Sequence, residues 1–222
     1  MLSAPNGTVE QNVRMTTPRR MGTEQSKTRH QLLDIVERLM LEEGYAAVGI
    51  RRVAREAGVT PPLVHYYFQT LDDLFIAALE RRAEQLLTRQ AQILESTEHP
   101  LQVMWELAGQ PAGITLTNEF AALSAHRKNI RSHLAEYARR YRALQVTVLT
   151  RYLERTGRSM DGISPEAAIF LMTAICQVRI REESMGMTIG HAEALLLVDE
   201  FIRRLQGEVP PAAPAPAVTV DG

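Results

Sequence analysis

An all-α fold is predicted by three observations. Apolar residues recur at three- and four-residue spacing along most of the 222-residue chain, no stretch alternates convincingly as a strand, and glycine or proline punctuates the helical runs. The first element runs through Leu32, Leu33, Ile35, Val36, Leu39 and Met40, and Gly44-Tyr45 ends it. A second, short helix follows, in which Ile50, Val53, Ala54 and Ala57 share one face. Gly58 stops it where a left-handed residue carries no Cβ penalty, and Val59 plugs the turn. Thr60 is then placed to cap a third helix that begins with Pro61 and ends in His65, Tyr66, Tyr67 and Phe68. Thr70 and Asp73 form a capping-box-like start for a long fourth helix, predicted to run from Leu71 to about Ser96.

Beyond it the spacing predicts a short helix over Leu101, Val103, Met104, Trp105 and Leu107, then a loop from Gly109 to Gly113. Helices are expected from about Leu116 to Ala125, Asn129 to Thr156 and Glu166 to Met185, and a last one ends near Gln206. Residues 1–22 carry almost no apolar periodicity and read as a flexible arm, basic near its end through Arg14, Arg19 and Arg20. Residues 208–222 read as a disordered Pro/Ala tail.

The stretch from Val48 to Phe68 has the punctuation of a helix-turn-helix, with small Ala54 and Ala57 where two helices must approach closely. A DNA reader of this kind enters the major groove with the N-terminal end of its second helix. Together with its flanks, the pattern R-x-x-L-L…G-Y…I-R-R-V-A-R-E-A-G-V-T…Y-F-x-T-x-D-D-L resembles the N-terminal domain of the TetR family of bacterial transcriptional regulators. The resemblance covers about the first third of the chain. It implies a three-helix DNA-binding domain at 23–80, joined by the long helix to an effector-binding and dimerisation domain at 81–207. It also implies a homodimer whose last two helices pair with their copies, a palindromic double-stranded DNA operator, and repression relieved by a small-molecule effector.

On that reading, base contacts fall to Thr60, Pro61, Pro62 and Leu63, with Arg51, Arg52 and Tyr66 beside them. His65 and Tyr67 are expected at phosphates, and Lys27 with the basic arm extends the interface. Two departures weaken the phosphate grip: Gly49 stands where the family usually has Thr or Ser, and Leu71 where it usually has Lys. These departures leave a non-enzymatic protein-interaction module with a degenerate helix-turn-helix as the alternative. Residues 14–69 hold nine arginines and lysines against six acids, an excess of the right sign for DNA although the whole chain stands at −1.

The middle helices are the expected effector pocket. Met104, Trp105, Phe120, Leu123, Tyr137, Met172 and Cys176 are the candidate apolar liners, with Asn118 and Arg179 as polar fixers. Each apolar member fits a plain core position equally well. Arg139 and Arg140, in an arginine-rich stretch from 127 to 158, raise the idea of an anionic effector against the blander idea of a solvated face. The surfaces around Leu171, Ile175 and Val178, and around Leu195, Leu197 and Phe201, are too wide for one side of a monomer and are the expected dimer faces.

Enzymatic chemistry has no signature in this chain. There is one cysteine, Cys176, which fits a reducing cytoplasm. Six histidines show no metal-ligand pair at helical spacing, and neither a nucleophile elbow nor a phosphate loop occurs. No cofactor, no metal and no membrane association are expected, and the protein is expected to be cytoplasmic.

Overall fold

The computed structural model describes residues 18–160 and 162–208, with side chains from Lys27 onward. Among the described residues the regular structure is entirely helical. Helix α1 spans Pro18–Glu43 and leads through a 3₁₀ turn, Tyr45–Ala47, into α2 (Ile50–Ala57) and α3 (Pro61–Tyr67). Then come α4 (Leu71–Ser96), α5 (Pro100–Ala108), α6 (Pro111–His126), α7 (Lys128–Thr156), α8 (Pro165–Glu183) and α9 (His191–Gln206).

Two boundaries differ from expectation, both at a proline. Helix α1 begins at Pro18, so Arg19 and Arg20 sit in its first turn rather than on an arm. Helix α6 begins at Pro111 and absorbs Gly113, which the sequence assigns to a loop. A proline at the first helical position has its φ already set and lacks only an N–H that would be orphaned anyway, so it starts helices that apolar spacing places later. Arg14 and the tail beyond Glu208 lie outside the described residues.

The capping box forms as predicted. The Asp73 N–H donates to Thr70 Oγ1 at 3.1 Å, and the Thr70 N–H donates to Asp73 Oδ2 at 2.9 Å. Thr60, by contrast, occupies the N-cap of α3 without a side-chain capping bond.

Two hydrophobic cores divide the molecule, and the division does not fall at residue 80. The first joins Leu32, Val36, Leu39, Val53, Val64, Leu74 and Phe75 from α1 to α4. It also takes Leu116, Phe120, Leu123 from α6 and Ile130 from α7. The second gathers Leu94, Leu101, Met104, Trp105, Leu149, Ile169, Met172, Cys176, Val198 and Ile202. One end of α6 is therefore core to the N-terminal helices. Arg81 ties α4 back to α1 through Glu37 at 2.6 Å and Asp34 at 2.8 Å. Arg127 pairs with Asp72 and lies over the Phe75 ring, locking the α6–α7 junction onto the start of α4.

Candidate functional site

The turn between α2 and α3 is built on Gly58, whose φ of 67° is left-handed. Its N–H donates to the Arg55 carbonyl, and the Val59 N–H reaches back to the Ala54 carbonyl, closing α2. Helix α3 is held down by Val64, which is fully buried, and by Phe68 just beyond it. The opposite side presents Thr60, Pro61, Pro62, His65 and Tyr66 to solvent, with Leu63 and Tyr67 half-buried. Tyr66 projects furthest, 66% exposed, and is braced edge-on by Tyr67 at 5.2 Å. Seven of the residues expected to touch DNA thus lie on this one short helix and its N-cap, five of them exposed.

The arginines of this region divide by partner. Arg52 is expected to read DNA, but the structure engages it elsewhere. Its guanidinium donates to both oxygens of Glu43, at 2.8 and 2.6 Å, and to Glu56 at 3.2 Å. Glu56 also accepts from Arg38, and the two guanidiniums hold its carboxyl below the usual glutamate range. Arg51 and Arg55, one turn apart on α2, are exposed and pair with no acid among the described residues. Arg51 stays a candidate DNA contact, and Arg55 joins it. The signal for Arg55 was its i, i+4 relation to Arg51 on the side away from Val53 and Ala54. Lys27 is exposed at the described start of α1.

His65 carries a constraint that its sequence position does not show. Its Nδ1 lies 3.2 Å from the Gln69 carbonyl, which can only accept, so Nδ1–H donates there. In that tautomer Nε2 of the neutral ring can only accept a hydrogen bond. Gly49 has φ −150° and ψ 150°, an extended conformation open to any residue, and a Cβ there would meet nothing within 4 Å. The missing hydroxyl is therefore a matter of sequence choice and not of steric demand.

A cavity of about 200 Å³ opens between α4, α5, α6, α7 and α8. Of the predicted liners, Tyr137 is on its wall, and Phe120 reaches only a narrow extension beside it. Met104, Leu123, Trp105, Met172 and Cys176 are buried in the two cores, and Asn118 is not on the wall either. Arg179 is turned to Glu183 at 2.7 Å. Helical periodicity identifies a buried face but does not say which neighbour it meets, and these residues meet side chains instead of space. Burial pushes the Cys176 thiol up to about 11, which keeps it protonated and unreactive.

The residues that do line the cavity are more polar than expected. Arg82, Arg89 and Arg142 contribute three positive charges, and no Asp or Glu is among the liners. Gln90 and Gln145 are buried at 4% and 3% exposure. Burial raises the pKa of the Tyr137 and Tyr141 hydroxyls, outweighing the opposing effects of Arg82 on Tyr137 and of the Gln90 hydrogen bond on Tyr141, so both hydroxyls stay neutral. A signal existed in the chain: Arg82, Leu86, Arg89 and Ile93 repeat along one face of α4. Arg139 and Arg140 face elsewhere and are neutralised by Glu136 and Glu84.

Helix α6 runs from this cavity to the helix-turn-helix. Gly113, Ile114 and Thr117 line the cavity near its start. Two residues past Thr117, Glu119 accepts a 2.6 Å hydrogen bond from the Tyr45 N–H, in the 3₁₀ turn just before α2. Gly44 permits that approach, with φ 82° and Glu119 Oε2 only 3.3 Å from where a Cβ would stand. On the far side of the molecule, the wide apolar surfaces of α8 and α9 divide in two. Ile169, Met172, Cys176, Val198 and Ile202 face the core, whereas Phe170, Leu171, Val178, Leu196 and Leu197 remain exposed.

The described residues thus form a helix-turn-helix joined to a helical body that holds a cavity. Residues 32–78 match the model of the family described as bacterial regulatory proteins, tetR family. The chain is similar to the HTH-type transcriptional activator FasR of Mycolicibacterium smegmatis, at 32% identity over 69 residues. That match takes in 31% of this chain and 32% of FasR, so it spans about a third of the relative's length. Over most of its length the fold matches a transcriptional regulator from Saccharomonospora viridis solved with choline. The TM-score is 0.65 at 19% identity, covering 82% of this chain and 95% of that one. FadR from Bacillus subtilis, solved with stearoyl-CoA, aligns with TM-score 0.57 at 14% identity, covering 81% and 98%. Among the described residues no helix is long and apolar enough to cross a membrane, and no group of His, Cys, Asp and Glu is arranged to hold a metal ion.

Proposed function

We propose that this protein is a DNA-binding transcriptional regulator, not an enzyme, that reads an operator as a homodimer and is released from it by a small-molecule effector. The observation that carries the reading is the exposed front of α3. Thr60, Pro61, Pro62, His65 and Tyr66 project from a helix pinned by Val64 and Phe68, next to the unpaired Arg51 and Arg55. Prolines and Leu63 favour contact with thymine methyls, while the arginines, Tyr66, Tyr67 and Lys27 suit phosphates. Arg14, Arg19 and Arg20 are proposed to add phosphate contacts to this interface.

Dimerisation is supported by the five large apolar side chains that α8 and α9 leave exposed. A two-fold pair would set two α3 helices about 34–36 Å apart, one turn of DNA, on a near-palindromic site. Effector control is supported by the path of α6, which lines the cavity at one end and holds the turn before α2 at the other. A ligand that prefers a shifted α6 thereby disfavours the spacing that DNA prefers. That the similar folds above were solved with choline and with stearoyl-CoA fits a cavity whose chemistry is set by each chain's own residues. Repression by operator occupancy is the proposed outcome. A promoter fusion in a deletion strain tests its sign, since a fall in expression there would instead match the activator named among the relatives.

Selection from a random DNA pool tests the central claim. Recovery of a palindrome with half-sites one turn apart is the expected result. Recovery of no specific sequence by a folded, dimeric protein overturns it and favours a protein-interaction role for a helix-turn-helix with Gly49 and Leu71 in place of phosphate-binding residues. Sedimentation at micromolar concentration that shows only a 24.9 kDa species sinks the homodimer.

A further inference from the structure

We infer that the cavity takes a compact organic carboxylate, with the carboxylate held at Arg82 and Arg89 and a hydrogen-bonding group at its far end meeting Gln90. The inference rests on the reading of this cavity as an effector site and deepens it.

Charge comes first. Arg82 and Arg89 lie on one face of α4, line the cavity and have no acidic partner among the described residues, unlike Arg81, Arg127, Arg139 and Arg140 around them. Arg142, over the Phe170 ring at 5.5 Å, adds a third positive charge to the same wall. With no carboxylate in the lining, a bound anion is the only group that compensates these charges, and guanidinium forks match carboxylates in geometry. A cation has nothing to pair with here.

A second feature of the lining is a polar group left unpaired. Gln90 is 4% exposed, donates through Nε2 to the Tyr141 hydroxyl at 3.1 Å, and leaves Oε1 buried with no partner. A buried amide oxygen without a partner is destabilising. A hydroxyl or amide N–H from a ligand satisfies it. Gln145, equally buried on the same wall, makes no hydrogen bond among the described residues and offers a second such group. The lining therefore combines exposed Arg89 with the buried amides of Gln90 and Gln145 and with apolar Leu86, Ile93 and Ile114.

Size completes the class. About 200 Å³ exceeds the roughly 150 Å³ that holds a benzene ring by a few heavy atoms. A ring carrying a short acidic arm and one polar substituent fits that space.

Calorimetry on the full-length protein, with four probes of one shape, tests this: 4-hydroxyphenylacetate, phenylacetate, 2-phenylethanol and phenethylammonium. The expected order of affinity is hydroxylated acid, plain acid, neutral alcohol, and no binding of the cation. Arg82→Gln and Arg89→Gln should each weaken both acids by about tenfold or more while leaving the alcohol unchanged. Gln90→Leu should remove the advantage of the hydroxylated acid and leave phenylacetate as it was, with a thermal melt confirming that the variant folds. Equal binding of the alcohol and the acids, binding of the cation, or acid affinity indifferent to both arginine substitutions overturns the inference. So does failure of all four probes to bind. Operator binding is read separately. Acid binding that leaves DNA affinity unchanged sinks the effector reading alone, and intact DNA binding with no acid binding sinks the ligand class alone.

Discussion

The front of the helix-turn-helix and the cavity treat their charges in opposite ways. Beside α3, acids neutralise some of the arginines: Glu43, Glu42 and Glu56 occupy Arg38 and Arg52, whereas Arg51, Arg55 and Arg29, which lies over the Phe68 ring, pair with no acid among the described residues. In the cavity the acids are absent, and buried amides are left incompletely bonded. The first surface is stable without its partner and needs only a few free cations, because DNA adds its own dense charge. The second is incomplete until something fills it. Ion pairs near α3 therefore report on folding, while unpaired groups around α4 report on ligand.

Helix α6 is where the two regions meet, and breaking it gives the largest expected effects. Phe120→Ala removes a side chain that is 1% exposed in the first core and should cost about 3–5 kcal/mol. Chemical denaturation should show the N-terminal helices losing stability along with α6. A variant that destabilises only the helices beyond residue 80 would restore a boundary there. Glu119→Ala is expected next, at about 1–3 kcal/mol, since it strands the Tyr45 N–H. Its sharper readout is coupling: effector and operator should compete less in the variant than in the parent, whatever its stability.

Two glycines sharpen the comparison within the helix-turn-helix. Gly58→Ala places a Cβ at φ 67° and should destabilise by about 1–2 kcal/mol although the space around it is open. Gly49→Thr meets neither strain nor contact, and should gain a few tenths of a kcal/mol as a cap. Thermal melts of the two should move in opposite directions. The new hydroxyl should also tighten DNA binding if α2 starts at a phosphate, and unchanged affinity would place that end of α2 off the backbone.

The smallest effect concerns pH. The Glu56 pKa is lowered by Arg38 and then Arg52, so its stabilising contribution is fully present above the ordinary glutamate range. It is lost as pH falls through the lowered folded value, when the carboxylate takes up a proton. Stability of the parent should drop across that acidic window more steeply than that of Glu56→Gln. Parallel pH profiles would show that the ion pairs are solvated contacts of no consequence.

How far each region was legible follows from how it is assembled. The helix-turn-helix lies within 21 consecutive residues, and its signals are local: apolar spacing in α2, Gly58 in the turn, Pro61 at the start of α3. The resemblance to the TetR family stood on those same residues. The Thr70–Asp73 capping box was readable for the same reason. The cavity draws on five helices scattered over nearly a hundred residues, and of nine predicted liners only Tyr137 stands on its wall. Met104, Leu123, Met172 and Cys176 look the same in sequence whether they face a void or a neighbour.

By itself, then, the sequence determined the helical class, the helix-turn-helix and the order of its helices, because local spacing, caps and turns act over a few residues. Tertiary structure alone decided that Arg52 is spent on Glu43 and Glu56, that Phe120 belongs beneath the N-terminal helices, and that Arg82 and Arg89 face a cavity. Those outcomes depend on which surfaces come together across the chain. Helical periodicity specifies that a face is buried, and only packing specifies against what.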